Sequence, residues 1–311
     1  MNTLRQAAQE YLNLRRSLGY KLYKAGKLLP AFVKFMEEHR ASYLTTQLAL
    51  DWAQQPSTVQ PVTWAQRLSV VRLFARHRSA TDPRTQIPPT GLLAYHYKRL
   101  QPYLYSTKEI RALLRAAVSL AARGGLRPWT YHCLFGLLSV AGLRLGEARN
   151  LELQDVDLKT GVLTIRNAKF GKIRLIPLHP STRRVLADYL ERRNRHWARR
   201  SVSSYVFVSN WGNQLDGAEI HRTFYALSRQ IGLRGPSDSH GPRLHDMRHR
   251  FAGMTLLRWY RSGKDVEQKL PFLSAYLGHV HVGDTYWYLS AWPELMREAM
   301  SRLERRWEGQ S

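Results

Sequence analysis

Apolar residues in the first part of the chain recur at helical spacing. Leu4, Ala8, Tyr11, Leu12 and Leu18 form one stripe, with Arg5, Arg15 and Arg16 between them. From about Ala31 to His39, Phe32, Phe35 and Met36 fall on an inward face and Lys34, Glu37 and Glu38 on an outward one. Thr45 and Thr46 can cap a helix carrying Leu48, Leu50 and Trp52. Trp64, Leu68, Val71 and Phe74 make the stripe of a fourth helix, with Arg67, Arg72, Arg76 and Arg78 elsewhere around it. The pattern breaks at Thr81-Asp82-Pro83 and again through Ile87-Pro88-Pro89-Thr90-Gly91, because prolines and a glycine so spaced cannot continue a helix. This predicts a helical domain over 1–80 and a linker over 81–104.

A second domain, 105–311, opens at Ser106-Thr107-Lys108-Glu109, a capping box leading into Ile110, Leu113 and Leu114. Helices are predicted at 106–122 and 128–141; Gly142 interrupts, and Arg144 starts the next. After Asp155 and Asp157 the period changes from helical to alternating. Val162–Arg166 and Ile173–Leu178 then predict two strands of a β-hairpin whose turn, Asn167 to Lys172, carries Lys169. Helices follow at about 181–199, 217–231 and 245–261, then shorter ones to 290 and an amphipathic last helix from Pro293 to Trp307. The predicted fold is mainly α with a small β-hairpin or sheet, in two domains.

Charge changes the picture. The 311 residues hold 48 Lys+Arg against 23 Asp+Glu, a formal net charge of +25. A field of that size repels itself unless an anion neutralises it. Nucleic acid fits best, because the basic residues are spread along the chain; no polybasic segment flanks an apolar anchor, as a membrane surface would want. The arginines around the fourth helix then read as a face laid on phosphates rather than a merely solvated one. The single cysteine, Cys133, lies in the apolar run Tyr131 to Leu138, which excludes a disulfide framework and predicts a buried, inert thiol. The N-terminus lacks an apolar signal core, and no run approaches the roughly 18 apolar residues that cross a bilayer. A cytoplasmic protein, nucleoid-associated when bound to DNA and with no membrane partner, is expected.

Several segments could carry chemistry. His245, Arg248 and His249 stand at i, i+3 and i+4 and would share one helix face. His-x-x-x-His is also a zinc pair with Asp246 beside it, but Arg248 would set a cation next to the metal and no third ligand is evident. Arg144 begins a helix after Gly142, where it adds to the positive end of the macrodipole, which costs stability unless an anion binds there. Glu147, one turn on, can hold it. Leu277-Gly278-His279 precedes Tyr288 by nine residues. A tyrosine of pKa about 10 is ionised in only about one molecule in a thousand at neutral pH, so a reactive Tyr288 needs cations around it.

Taken together, Gly142-Leu143-Arg144-x-x-Glu147, Lys169 followed by Arg174-Leu175-Ile176-Pro177-Leu178, His245-x-x-Arg248-His249, Leu277-Gly278-His279 and Tyr288 resemble the boxes of the tyrosine recombinases, or phage integrase family, in order and separation. The resemblance covers about 104–290. It implies a two-domain DNA clamp, with a helical, SAM-like core-binding domain followed by an α+β catalytic domain. It also implies a site-specific recombinase, an integrase or integrase-like transposase, that cuts and rejoins double-stranded DNA through a 3′-phosphotyrosine without metal, ATP or cofactor, as a homotetramer on two sites.

The roles that carry over are Tyr288 as nucleophile, Arg144 and Arg248 as phosphate clamps, Lys169 as general acid, His245 assisting proton transfer and His279 bonding the phosphate. Glu147 and His249 support, the latter by local packing. Lys172 is the alternative to Lys169, and Tyr286, about 200° from Tyr288 around a helix, the alternative nucleophile. The rival functions are a type IB topoisomerase, with the same chemistry but no partner exchange, and a DNA-binding relative that has lost catalysis. The apolar positions of the last helix, Met296, Met300, Leu303 and Trp307, are expected to dock on a neighbouring subunit.

Overall fold

The computed structural model describes residues 3–93, 101–122, 125–166, 173–238, 240–290 and 292–308. The chain divides into two compact units, Met1–Arg99 and Leu100–Ser311.

The first unit is four helices: α1 (Leu4–Ser17), α2 (Tyr23–Glu38), α3 (Thr46–Gln54) and α4 (Pro61–Arg78). Thr3 caps α1 in a box with Gln6, and Thr45 caps α3 by accepting from the Leu48 amide at 3.2 Å. Their stripes meet in one core that includes Leu12, Leu29, Phe32, Met36, Trp52, Leu68, Val71 and Phe74. Two expectations fail here. Leu18 follows the end of α1 and is 64% exposed, because the left-handed Gly19 turns the chain out of the stripe. Helix α2 starts at Tyr23 and runs through Pro30; the ring forfeits one hydrogen bond, but Leu29, Phe32 and Val33 on either side of it are buried and keep the helix together.

Of α4's four arginines, Arg76 is exposed, but the other three are held by the protein itself rather than left open for phosphates. Arg67 stacks 3.8 Å above the Trp52 ring and donates to the Trp52 carbonyl at 2.7 Å. Arg72 donates to the carbonyls of Pro88 and Pro89 at 2.7 and 2.8 Å. Arg78 pairs with the buried Asp82 at 3.6 Å. Arg72 and Arg78 tie residues 82–89 down onto α4, and Arg67 ties α4 to α3.

In the second unit, Ser106 and Glu109 form the predicted capping box of α5 (Thr107–Val118). Helix α6 (Arg127–Ala141) is apolar on every side and lies at the centre, touching α5, α8 and α10. It stops at Gly142, whose left-handed φ of 60° ends the helix and turns the chain toward Arg144. After the short α7 (Leu145–Arg149), the hairpin is β2 (Val162–Ile165) and β3 (Arg174–Pro177), antiparallel, with Leu163 facing Ile176 and Ile165 facing Arg174. A two-residue strand β1 (Val156–Asp157), too short for any periodicity, adds an edge that the sequence pattern misses. Helices α8 (Pro180–Trp197), α9 (Gly217–Gln230), α10 (Leu244–Arg261), α11 (Val266–Leu277), α12 (Gly283–Ser290) and α13 (Pro293–Glu308) complete the unit. The fold is mostly helical with a three-stranded antiparallel sheet. Among the described residues no helix is long and apolar enough to cross a membrane.

The last four helices share a smaller core built on Leu256, Leu257, Leu273, Leu277, Tyr288, Trp292 and Leu295. Gly253, in the middle of α10, is the contact point for Trp292: a Cβ there would lie 1.6 Å from the indole ring. Helix α13 rests on α10 of its own chain through Leu295 and the ion pairs of Arg261 with Glu294 and Glu298.

Candidate active site

The sequence boxes converge where α7, β3, α10, α11 and α12 meet. The C-terminal end of α11 is the common point. Helix α11 closes on the left-handed Gly278, φ 67°, which leaves the carbonyls of its last turn facing outward. Two guanidinium groups meet those carbonyls. Arg144 donates to Leu277 O at 3.3 Å and to Gly278 O at 3.1 Å, and Arg248 also donates to Leu277 O. Cations at a helix C-terminus complement its negative end.

The two arginines differ in setting. Arg248, on the inward face of α10, is 1% exposed and bonds Gly142 O at 2.7 Å and His279 Nε2 at 3.1 Å. Burial pulls its pKa down to about 10, which still leaves it charged at neutral pH. Arg144, the N-cap residue of α7, is more open, with a third of its side chain exposed. Its charge is answered by Glu147, which accepts from the Arg144 backbone amide and from Nη1, both at 2.8 Å. Glu147 accepts a second guanidinium as well: Arg174, from the start of β3, forks onto both carboxylate oxygens at 3.0 and 2.7 Å. Burial opposes ionisation of Glu147, yet hydrogen bonds and charge from Arg174 and then Arg144 hold it down at about 2. Arg174 is a cluster residue that sequence reasoning did not pick out, although it heads the Arg174–Leu178 stretch that follows Lys169.

Tyr288, on α12, is 4% exposed, whereas Tyr286 is 53% exposed; the two lie on different sides of the helix. The Tyr288 ring lies edge-on to His249 (centroids 5.2 Å apart) and stacks on His279 (5.9 Å, 19° between planes). Its phenol lies close enough to the Arg248 guanidinium for the two to interact electrostatically. His249 in turn meets His245 edge-on at 4.9 Å. His279 bonds the buried Thr285 hydroxyl through Nδ1 at 2.8 Å, which leaves Nε2 for Arg248. Asp246 does not act as a metal-side acid here: it accepts from the Arg243 backbone amide at 2.9 Å and from its guanidinium at 2.7 Å, and so fixes the start of α10. Thus Arg144, Glu147, His245, Arg248, His249, His279 and Tyr288 are brought together. Lys169 and Lys172 lie outside the described residues.

The histidines give the cluster a pH signature. Burial, then the charges of Arg248 and Arg144, pull His279 down to about 4, and His245 is lowered for the same kinds of reason. Between about pH 4 and the ordinary histidine value of about 6.5, the unfolded chain binds protons that the folded chain refuses. Stability is therefore expected to fall as pH drops through that window and to be unaffected by these groups above it. Glu147 acts mainly below about pH 5, where the unfolded carboxylate, of ordinary pKa 4.5, takes up protons that the folded one refuses down to about 2. Thermal denaturation from pH 4 to 7 should show a shallower slope for His279→Gln than for the unsubstituted protein; parallel curves would contradict the assignment.

A helical domain followed by an α+β domain with two arginines, clustered histidines and a buried tyrosine is the arrangement of a DNA strand-cleaving recombinase. The phage integrase family profile matches residues 105–294, and the chain belongs to that family, the tyrosine recombinases; it is a site-specific DNA recombinase. It is 62% identical over 311 residues to the protein that carries the name integrase/recombinase y4rB, of Sinorhizobium fredii, covering 99% of each chain. The tyrosine recombinase XerC of Chlamydia caviae is 28% identical over 228 residues, 73% of this chain and 66% of that one. Among solved structures, the Tn1549 transposon integrase in complex with transposon right-end DNA shares the fold at TM-score 0.66 and 15% identity, over 96% of this chain and 98% of that one. A lambda integrase dimer bound to a core site does so at TM-score 0.61 and 17% identity, over 92% and 77%.

Proposed function

We propose that the chain cuts and rejoins double-stranded DNA through a 3′-phosphotyrosine at Tyr288, without metal or ATP. The observation that carries this reading is the buried Tyr288 beside Arg248 and flanked by two histidines. The Tyr288 oxygen attacks the scissile phosphorus, and the bond from phosphorus to the 5′ oxygen breaks. Negative charge builds on the non-bridging oxygens, where Arg144 and Arg248 clamp it with groups that stay charged. When the scissile phosphate takes over as the acceptor for Arg248, His279 turns its Nε2 to donate to the phosphate while Nδ1 accepts from the Thr285 hydroxyl, and His245 assists departure of the phenolic proton. The leaving 5′ oxygen has the basicity of an alkoxide, so it needs a proton; Lys169 supplies it. Glu147 steadies Arg144, and His249 packs the nucleophile's ring. Because the phosphotyrosine conserves the phosphodiester, attack by another strand's 5′-hydroxyl restores the backbone and frees the enzyme.

Exchange between two duplexes requires four strand cleavages, and each chain carries one Tyr288, so the working unit is a homotetramer on two sites. Its biological setting is integration or transposition of a mobile element, in the cytoplasm on nucleoid DNA. The helix α13 stripe of Met296, Met300, Leu303 and Trp307, each 49–69% exposed, offers the protein contact between copies. Met300→Glu with Leu303→Glu should lower strand exchange between two duplexes more than about tenfold while cleavage of a single nicked duplex persists; undiminished exchange would remove α13 from the assembly.

The test of the chemistry uses duplexes selected from a random-sequence pool by binding to the protein, then nicked next to the cleavage position so that the released fragment diffuses away. A detergent-resistant protein–DNA complex should form in EDTA with no nucleotide added. A requirement for magnesium would overturn the proposal, as would the absence of a complex.

A further inference from the structure

We propose that Arg174 is a positioning residue for strand cleavage: by forking onto Glu147, it stops that carboxylate from capturing the Arg144 guanidinium. This rests on the reading of Arg144 as a phosphate clamp. The Glu147 carboxylate is fully subscribed. Oε1 accepts Arg144 Nη1 at 2.8 Å and Arg174 Nη1 at 3.0 Å; Oε2 accepts the Arg144 amide at 2.8 Å and Arg174 Nη2 at 2.7 Å. A carboxylate has about four lone-pair sites, and here all four are taken. The two guanidinium groups have different surroundings: the Arg174 side chain is 10% exposed and that of Arg144 33%. The inner arginine neutralises the carboxylate through a bidentate fork, the strong form of this contact. The outer one gives Glu147 a single guanidinium N–H and sends its other nitrogen to Gly278 O at 3.1 Å.

Two charges of +1 and one of −1 leave this corner with a net +1 at the outer arginine. Without Arg174 the sum is zero, and Glu147 can take Arg144 in a fork of its own, turning it from the phosphate. Arg174 also packs beneath the turn that Arg144 bonds, since a Cβ on Gly278 would come within 2.8 Å of Arg174 Nη1. As the first residue of β3, opposite Ile165, it links the strand that leaves the Lys169 segment to α7 and to the end of α11.

Single-turnover cleavage of the nicked duplex tests this. Arg174→Met should cut about 10²-fold more slowly with unchanged DNA affinity, the scale expected when a transition-state group is misaimed. Adding Glu147→Gln should restore most of that loss, because a neutral amide has no charge with which to cancel Arg144. A scissile methylphosphonate lacks one non-bridging oxygen and the negative charge, so on it the deficit relative to the unsubstituted protein should shrink to about threefold or less. If Arg174→Met does not fold, Arg174→Gln, which keeps a polar group toward Glu147 but removes the charge, is put through the same pair of substrates. Equal deficits on both substrates would reduce Arg174 to a structural role and overturn the proposal, as would cleavage within twofold of the unsubstituted rate. Failure of the proposed chemistry is a different result: the unsubstituted protein would form no adduct at all.

Discussion

Arg248→Lys is expected to slow strand cleavage by about 10³-fold while leaving DNA affinity within a few-fold, since removing one preorganised donor from a charged transition state costs about 10²–10³. The Arg248 guanidinium is held at 1% exposure by Gly142 O, Leu277 O and His279 Nε2, which come from the end of α6, the end of α11 and the turn before α12. A lysine has one ammonium at the end of a flexible stem and cannot span those three points while also facing a phosphate. Arg248→Ala goes further, taking a charged donor from the buried Gly142 O and leaving Leu277 O with Arg144 alone, and should cost about 2–4 kcal/mol of stability as well as activity. Binding is spared because many other cations meet the DNA backbone. Single-turnover cleavage and binding titrations on one nicked duplex check both halves; cleavage within tenfold of the unsubstituted rate would take Arg248 out of the clamp.

Tyr288→Phe has the larger effect: adduct formation should fall below detection, at least about 10⁴-fold, because no second nucleophile replaces a missing hydroxyl in a covalent mechanism. The ring itself should stay where it is. Tyr288 packs in the core of the last four helices, against His249 and His279, and phenylalanine keeps those contacts. The variant is therefore expected to fold and to bind DNA as before, which separates chemistry from structure. Tyr286→Phe is the control. Its ring is 53% exposed on another side of α12, and its loss should leave cleavage unchanged.

The candidate site is legible in the sequence where its residues are close along the chain. His245, Arg248 and His249 read as one helix face because helical spacing brings them together, and α10 does bring them to one cluster. The nine-residue step from His279 to Tyr288 chose Tyr288 over Tyr286, and the burial of the two rings differs in the same sense. What stayed hidden depends on long-range partners. Nothing near Arg174 in sequence points to Glu147, twenty-seven residues earlier, and nothing near Gly253 points to Trp292. Arg67 and Arg72 carry no local mark that separates them from phosphate-facing arginines, because the groups that occupy them, Trp52 and the Pro88 and Pro89 carbonyls, lie fifteen to seventeen residues away in sequence. Strand β1 has two residues and carries no period. Helix α2 crosses a proline that local propensity would take as its boundary, because burial of the residues around it outweighs one lost hydrogen bond.

The account turns on which oxygen carries the DNA. Protein trapped on the nicked duplex, digested and sequenced by mass spectrometry, should carry a 3′-linked nucleotide on the peptide containing Tyr288, at the Tyr288 oxygen alone. The nucleotide on Tyr286, on another residue, or joined through the 5′ end of the cut strand would contradict it.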